Sequence, residues 1–248
     1  MTKLMRPTKA FQIVAHRGFS QQYPENTRAA YIAALSQPID MLEIDLHMTK
    51  DRFLVAIHDE TIDRTSNHVG AVRDFTLEAL RTFDFGSWKG GGQSEGIMTF
   101  DEVLMLAKQY SKTLLIEIKQ PQQYPGMEEA VIATIKQHHF PFNRVIIQSF
   151  DQLSIQKLHE MAPEIRLGVL LSQRHYRFKQ PSFERLASFS NFANPNYKLV
   201  NKKWVQRAHQ YHLKVIPYTV NQISVAKRLI AMGVDGIISD APQQLFEL

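Results

Sequence analysis

Short apolar runs and helix-like stretches alternate along almost the whole chain. Runs at 13–17, 42–47, 114–119, 145–150, 167–171, 198–201, 215–220 and 236–240 have the length and residue types of strands. Between most of them lie amphipathic segments, among them 28–36, 127–138, 152–161, 203–211 and 223–232. Several of these open on residues that start helices, such as Asn26-Thr27 and Asp151. Strands separated by helices predict a parallel sheet with crossover connections, and eight of them predict an α/β fold closed as a TIM (β/α)8 barrel.

One run breaks the rhythm. Residues 53–59 follow the second strand after only Lys50-Asp51-Arg52, whereas a parallel neighbour needs a crossover of about a dozen residues. The run is therefore expected to fold back antiparallel, with paired residue numbers summing to about 101 or 102 for a turn centred on Lys50 or Asp51. That register sets His58 opposite Glu43 or Ile44, at the end of the strand that carries Glu43 and Asp45. From 59 to 99 a polar stretch, an amphipathic patch (Phe75, Leu77, Leu80, Phe83) and a glycine-rich run at 88–92 replace the barrel pattern. We read about 53–99 as an insertion after the second strand, within a single domain spanning 1–248.

Composition narrows the picture. With 248 residues, 44% of them hydrophobic and 21% charged, the chain can build one barrel core and carries no mark of disorder. The absence of cysteine excludes disulfides, thiolate metal sites and a cysteine nucleophile, and suits a reducing compartment. Residues 1–10 lack the apolar stretch of a signal peptide, and no run of about 18 apolar residues offers a membrane span. A cytoplasmic protein without stable membrane insertion is expected. The net charge of +5 comes from Lys and Arg spread along the sequence, which suits a small anionic substrate and argues against a nucleic-acid partner.

The candidate chemistry sits at the strand ends. In 42–46, Glu43 and Asp45 share one face while Leu42, Ile44 and Leu46 share the other. Two carboxylates on an apolar strand need charge compensation, which a divalent cation supplies; on an exposed edge strand, water would supply it instead. The run 114–119 repeats the pattern with Glu117 and Lys119, readable also as a surface ion pair. Oxygen ligands of this kind favour Mg²⁺ or Ca²⁺. His16 has a side chain suited to acid–base work, Arg17 offers a fork that fits phosphate, and Gly18 permits a sharp exit from the first strand. His58 supplies a second imidazole, with zinc ligation as its alternative. Two imidazoles flanking a phosphoryl group suit in-line displacement, one accepting the nucleophile's proton and the other protonating the leaving alkoxide.

Eight segments, in order, resemble the glycerophosphodiester phosphodiesterase family. They are His16-Arg17-Gly18, Pro24-Glu25-Asn26-Thr27, Glu43-Ile44-Asp45-Leu46, His58-Asp59, Glu117-Ile118-Lys119, Gln148-Ser149-Phe150, Tyr218-Thr219-Val220-Asn221 and 233–240. The resemblance implies a TIM barrel with a small insertion after the second strand. It also implies hydrolysis of glycerophosphodiesters, such as glycerophosphocholine and glycerophosphoethanolamine, to sn-glycerol 3-phosphate and an alcohol. On that footing His16 and His58 are the acid–base pair, and Glu43, Asp45 and Glu117 the ligands of Mg²⁺ or Ca²⁺. Arg17 and Lys119 contact phosphate, and Phe150 and Tyr218 line the substrate groove. Tyr218 stands where the family often has Trp, and Met98 where it often has Pro. Pro24–Thr27 reads in preference as a turn before a helix cap, and Asp240 with Pro242 as the start of the last helix. Two rival readings remain. One is a lysophospholipase D whose lipid contact is made by Phe75, Phe83, Phe85 and Trp88. The other is a non-catalytic barrel that binds phosphorylated ligands.

Overall fold

The computed structural model describes residues 11–91 and 93–246; the expectation of no signal peptide in residues 1–10 falls outside them. Eight strands form: β1 (Gln12–Ala15), β2 (Met41–Met48), β3 (Leu54–Ala56), β4 (Thr113–Ile118), β5 (Val145–Ser149), β6 (Arg166–Leu171), β7 (Phe192–Pro195) and β8 (Gly236–Ser239). Seven of them run parallel in the order β7-β6-β5-β4-β2-β1-β8. Residues 214–220 fill the space between β7 and β8. They bridge β7 in parallel at Phe192–Lys214 and extend the pairing at Asn196–Tyr218. On the other side Val220 N–H donates to Ile238 O and Ile238 N–H donates to Pro217 O. Pro217 has no N–H to give, so this eighth wall is irregular where its neighbours form ladders.

The seventh wall is not where the apolar pattern put it. It is Phe192–Pro195, and the expected strand at 198–201 is instead a 3₁₀ turn, Tyr197–Leu199, and the cap of the next helix. Asn196 accepts from Lys198 N–H, and Asn201 accepts from Trp204 N–H to open the helix Lys202–Gln210. Asn194 and Pro195 disguised β7 as a loop. In place, the fully buried Asn194 donates to Gln148 and accepts from Ile216 N–H, so a polar residue is satisfied inside the barrel.

The hairpin forms in the expected register: Leu46 pairs with Ala56, His47 with Val55 and Met48 with Leu54. Unequal strand length makes room for it. Four-residue β1 pairs only with Met41 and Leu42 of the eight-residue β2, so the upper edge of β2 is free to take β3. Beyond β3, residues Val55, Ile57, Ile62, Val72, Leu77, Leu80, Phe85 and Ile97 make a small core of their own, with Phe75 and Phe83 packed against it. The aromatic residues that could have formed a lipid channel are mostly consumed there. Thr99 and Glu102 then close a reciprocal capping box on the helix Phe100–Ala107, and the barrel resumes.

Two layers fill the barrel. Val14, Met41, Leu115, Ile146, Phe192, Ile216 and Ile238 form an apolar plug. Two residues further along each of these walls stand His16, Glu43, Glu117, Gln148, Asn194, Tyr218 and Asp240. The period-two geometry of strands thus stacks a polar layer directly on the plug, towards the C-terminal ends of the strands. Outside the strands, a larger apolar core that includes Ile13, Leu42, Ile44, Leu114, Ile116 and Ile147 packs against the helices. Among the described residues no helix is long and apolar enough to cross a membrane.

Gly18 fixes the exit from β1. Its φ is +83°, and a Cβ there would lie 2.6 Å from the backbone carbonyl of Ala30. Replacing it, Gly18→Ala, is expected to destabilise the protein by more than about 2 kcal/mol, read as a lowered denaturation midpoint with unchanged slope.

Candidate active site

Glu43, Asp45 and Glu117 are all buried, and their nearest carboxylate oxygens lie within 4.8 Å of one another. Parallel pairing of β2 with β4, which puts Asp45 beside Glu117, brings them together. Burial, then the charges of Asp45 and Glu117, push the Glu43 carboxyl well above its ordinary range. Burial opposes ionisation of Asp45 too, but Arg17 and Lys119 outweigh it and hold that carboxyl far below the usual range. Asp45 Oδ1 is buried without a hydrogen-bond partner, at 3.6 Å from Lys119 Nζ. Three converging acids, one with its ionisation opposed by burial and by its neighbours and one with an orphaned oxygen, fit a hard divalent cation.

Arg17 holds the cluster from above. Its backbone N–H donates to Glu43 at 2.9 Å, Nη1 donates to Glu25 at 2.8 Å, and Nε lies 3.1 Å from Asp45 Oδ2 without hydrogen-bond alignment. Burial works against the guanidinium charge, but Asp45, Glu25 and Glu43 together raise its pKa. Lys119 bonds Glu117 at 2.6 Å; burial again opposes its charge, and Glu117 and Asp45 prevail.

The two histidines are held alike. His16 Nδ1 lies 2.6 Å from Asp240 Oδ1, and His58 Nδ1 lies 2.6 Å from Asp59 Oδ1. A carboxylate only accepts, so each Nδ1 carries the proton and each Nε2 is left for chemistry. Asp240 is itself held by Ser20 Oγ at 3.0 Å and Asn221 Nδ2 at 2.6 Å. Asp59 is held by Arg64, and these partners bring its pKa down to about 2 against the opposing effect of burial. Burial lowers the His58 pKa below its ordinary value.

A cavity of about 150 Å³ collects His16, Arg17, Glu43, His58, Glu117, Lys119, Phe150 and Tyr218 on its wall, with Gln148 and Leu170. Asp45, completely buried, sits behind that wall. All nine residues singled out in the sequence therefore meet at one place. The Phe150 and Tyr218 rings stand edge to face, 6.0 Å between centroids.

Several supports escaped the sequence reading. Thr27 does cap the helix Arg28–Leu35, accepting from Ala30 N–H, but its neighbours also serve the site. Glu25 joins Arg17 to Arg64, and Asn26 donates to Asp45 at 2.9 Å while accepting from Tyr31 OH at 2.8 Å. Asp240 holds His16 rather than only preceding the last turn. His47, whose pKa burial drops to about 4, contacts Tyr124 OH through Nδ1 and the carbonyl of His58 through Nε2. His47 shares the strand face of Glu43 and Asp45, so the period of two could have found it.

Acids, cations and oriented imidazoles around one small cavity at the C-terminal end of a barrel equip this protein to cleave a phosphodiester. Comparison with known proteins gives the particular class. Residues 16–244 match the glycerophosphoryl diester phosphodiesterase family, and the chain belongs to it as a phosphoric diester hydrolase. It is 38% identical, over 95% of its length and 96% of the relative's, to a glycerophosphodiester phosphodiesterase of Caldanaerobacter subterraneus. It is 36% identical to one of Bacillus subtilis, over 92% and 83% of the two chains. A phosphodiesterase from Oleispira antarctica, solved in complex with the product sn-glycerol-3-phosphate, superposes with a TM-score of 0.86 at 31% identity, covering 95% and 94%. A Thermotoga maritima glycerophosphodiester phosphodiesterase shares the fold at a TM-score of 0.76 and 23% identity, covering 96% and 98%.

The acid cluster makes a ligand-free prediction about stability. Mg²⁺ or Ca²⁺ added to chelator-treated protein is expected to raise the thermal midpoint, by about 2.7 kcal/mol of stabilisation at a hundredfold excess over Kd. Asp45→Asn should abolish the shift in scanning calorimetry.

Proposed function

We propose that this chain, as one barrel domain with its insertion at about 53–99, hydrolyses glycerophosphodiesters such as glycerophosphocholine and glycerophosphoethanolamine. The products are sn-glycerol 3-phosphate and the head-group alcohol. Glu43, Asp45 and Glu117 would hold Mg²⁺ or Ca²⁺, which would supply positive charge to offset that of the phosphoryl group. Arg17 and Lys119 take the remaining phosphoryl oxygens, and Phe150 and Tyr218 line the groove that receives the substrate. The observation that carries this reading is the pair of carboxylate-held imidazoles on the same cavity wall as the acid cluster.

The proton inventory follows from those contacts. One imidazole takes the nucleophile's proton at Nε2 while the other, protonated, gives its Nε2 proton to the departing alkoxide. Asp240 and Asp59 keep both rings in the tautomer that makes this exchange possible, and each stabilises its ring when charged. The sn-glycerol 3-phosphate bound to the Oleispira relative supports the product assignment. The burial of Phe85, with Phe75 and Phe83 packed around it, weighs against a lysophospholipid channel through the insertion.

His16→Ala and His58→Ala should each lower kcat by roughly 10²–10⁴-fold with little change in KM. Asp240→Asn, which leaves the ring in place but reverses its tautomer preference, should lower kcat by roughly 10²-fold or more. A panel of glycerophosphodiesters and lysophosphatidylcholine, assayed with Mg²⁺, Ca²⁺ or Mn²⁺ after chelation, tests the substrate and the metal together. Faster turnover of the lipid, or full activity in chelated protein, would reject the corresponding half of the reading.

A further inference from the structure

Acidic residues are distributed very unevenly. Between residues 165 and 234 the sequence carries twelve Lys and Arg but a single acid, Glu184. The remainder carries seventeen Lys and Arg against twenty-three Asp and Glu. The cations are indeed spread along the chain, yet the acids are not, and one third of the barrel is strongly positive.

Six of these cations lie on the face where the cavity opens. Arg174, Arg177 and Lys179 are exposed on the loop that follows β6, and Lys198, Lys202 and Lys203 are exposed after β7. Among the described residues none of the six has a carboxylate within ion-pair distance, in contrast to Lys157 and His209 elsewhere on the surface. Three lie instead over aromatic rings: Arg177 at 5.3 Å from the Phe178 centroid, Lys179 at 5.8 Å from Tyr176 and Lys198 at 5.9 Å from Tyr197.

The same face exposes apolar side chains. Phe178 is 92% exposed and stands between Arg177 and Lys179. After β5, Phe150 in the loop is 45% exposed and Leu153, in the first turn of the helix Gln152–Met161, is 72% exposed. Gln152 donates to Tyr176 OH at 3.1 Å and ties the two loops together. The loops after β5 and β6 therefore both present apolar side chains, Phe150 on the cavity wall and Phe178 further out, beside cations without ion-pair partners among the described residues.

We propose that this face docks peripherally on an anionic phospholipid bilayer. Phe178 and Leu153 enter the headgroup boundary, and the six cations lie against acidic headgroups. A bilayer surface is the partner that uses both features at once, since it offers a dense layer of negative charge with an apolar phase just beneath it. A free polyanion would engage the cations and leave the exposed apolar tip without a role. In the docked orientation the cavity mouth faces the membrane.

Co-sedimentation with vesicles tests the proposal. The full chain is expected to pellet with vesicles of equal parts phosphatidylcholine and phosphatidylglycerol at low ionic strength, to release as salt is raised, and to ignore pure phosphatidylcholine. Phe178→Asp, and separately the pair Arg177→Glu and Lys179→Glu, should each lower the partition coefficient tenfold or more. Unchanged thermal midpoints would verify that both variants fold. Failure of the full chain to pellet with the anionic vesicles, or pelleting of the folded variants as complete as that of the unsubstituted chain, would overturn the docking site. Tighter binding of a single-stranded oligonucleotide, insensitive to Phe178→Asp, would replace the bilayer with a free polyanion and overturn it as well.

Discussion

Three carboxylates within 4.8 Å of one another, buried in the upper part of a barrel, repel strongly wherever the surroundings are less polarisable than solvent. Much of the upper half of the molecule is arranged to contain that repulsion. Arg17 reaches Glu43 through its backbone and Asp45 and Glu25 through its side chain, and Lys119 approaches Glu117 and Asp45 from the opposite side. To do this the chain turns sharply: Arg17, Gly18 and Asn26 all take positive φ. Such left-handed conformations are costly for residues other than glycine, and the contacts of Arg17 and Asn26 with the buried acids hold them there. A divalent cation among these three acids would relieve the same repulsion.

The site needs a floor as well as a charge balance. The apolar plug directly beneath it excludes water from below and fixes the level at which each polar side chain emerges. Because strands alternate strictly, seven walls change from apolar to polar in a single step of two residues. Gln148, beside Glu117 in the parallel pairing of β4 with β5, and Asn194, bonded to it at 2.9 Å, continue the polar layer around the barrel. Their amides answer each other, so that part of the layer adds no charge to the cavity.

The excursion after β2 belongs to the site by construction. Its small separate core supports the loop that carries His58, and Arg64 fastens that loop to Glu25 and Asp59. His47 grips the carbonyl of His58 from β2 itself. The geometry of the site thus depends on elements of different origin, among them the first strand, the long second strand, its neighbour β4 and the returning hairpin. The opposite side of the rim has a different character, with exposed apolar residues after β5 and β6 and, after β6 and β7, six exposed cations that no carboxylate answers among the described residues.

Local rules determined much of this from the sequence alone. The alternation of short apolar runs and helices defines the barrel, the three-residue link 50–52 compels a hairpin, and the period of two places Glu43 with Asp45 and Glu117 with Lys119. These features depend on neighbours in the chain, which a single sequence displays. The seventh strand did not declare itself, because Asn194 and Pro195 look like breakers until a partner from another strand satisfies Asn194. Nor did the union of His16 with Asp240, or of Asp45 with Asn26, since residues separated by 224 and 19 positions meet only after the barrel closes. Tertiary structure decided which acids are buried together and which cations remain unpaired. Charge interactions act through space, and their sign and strength depend on distances that sequence spacing does not contain.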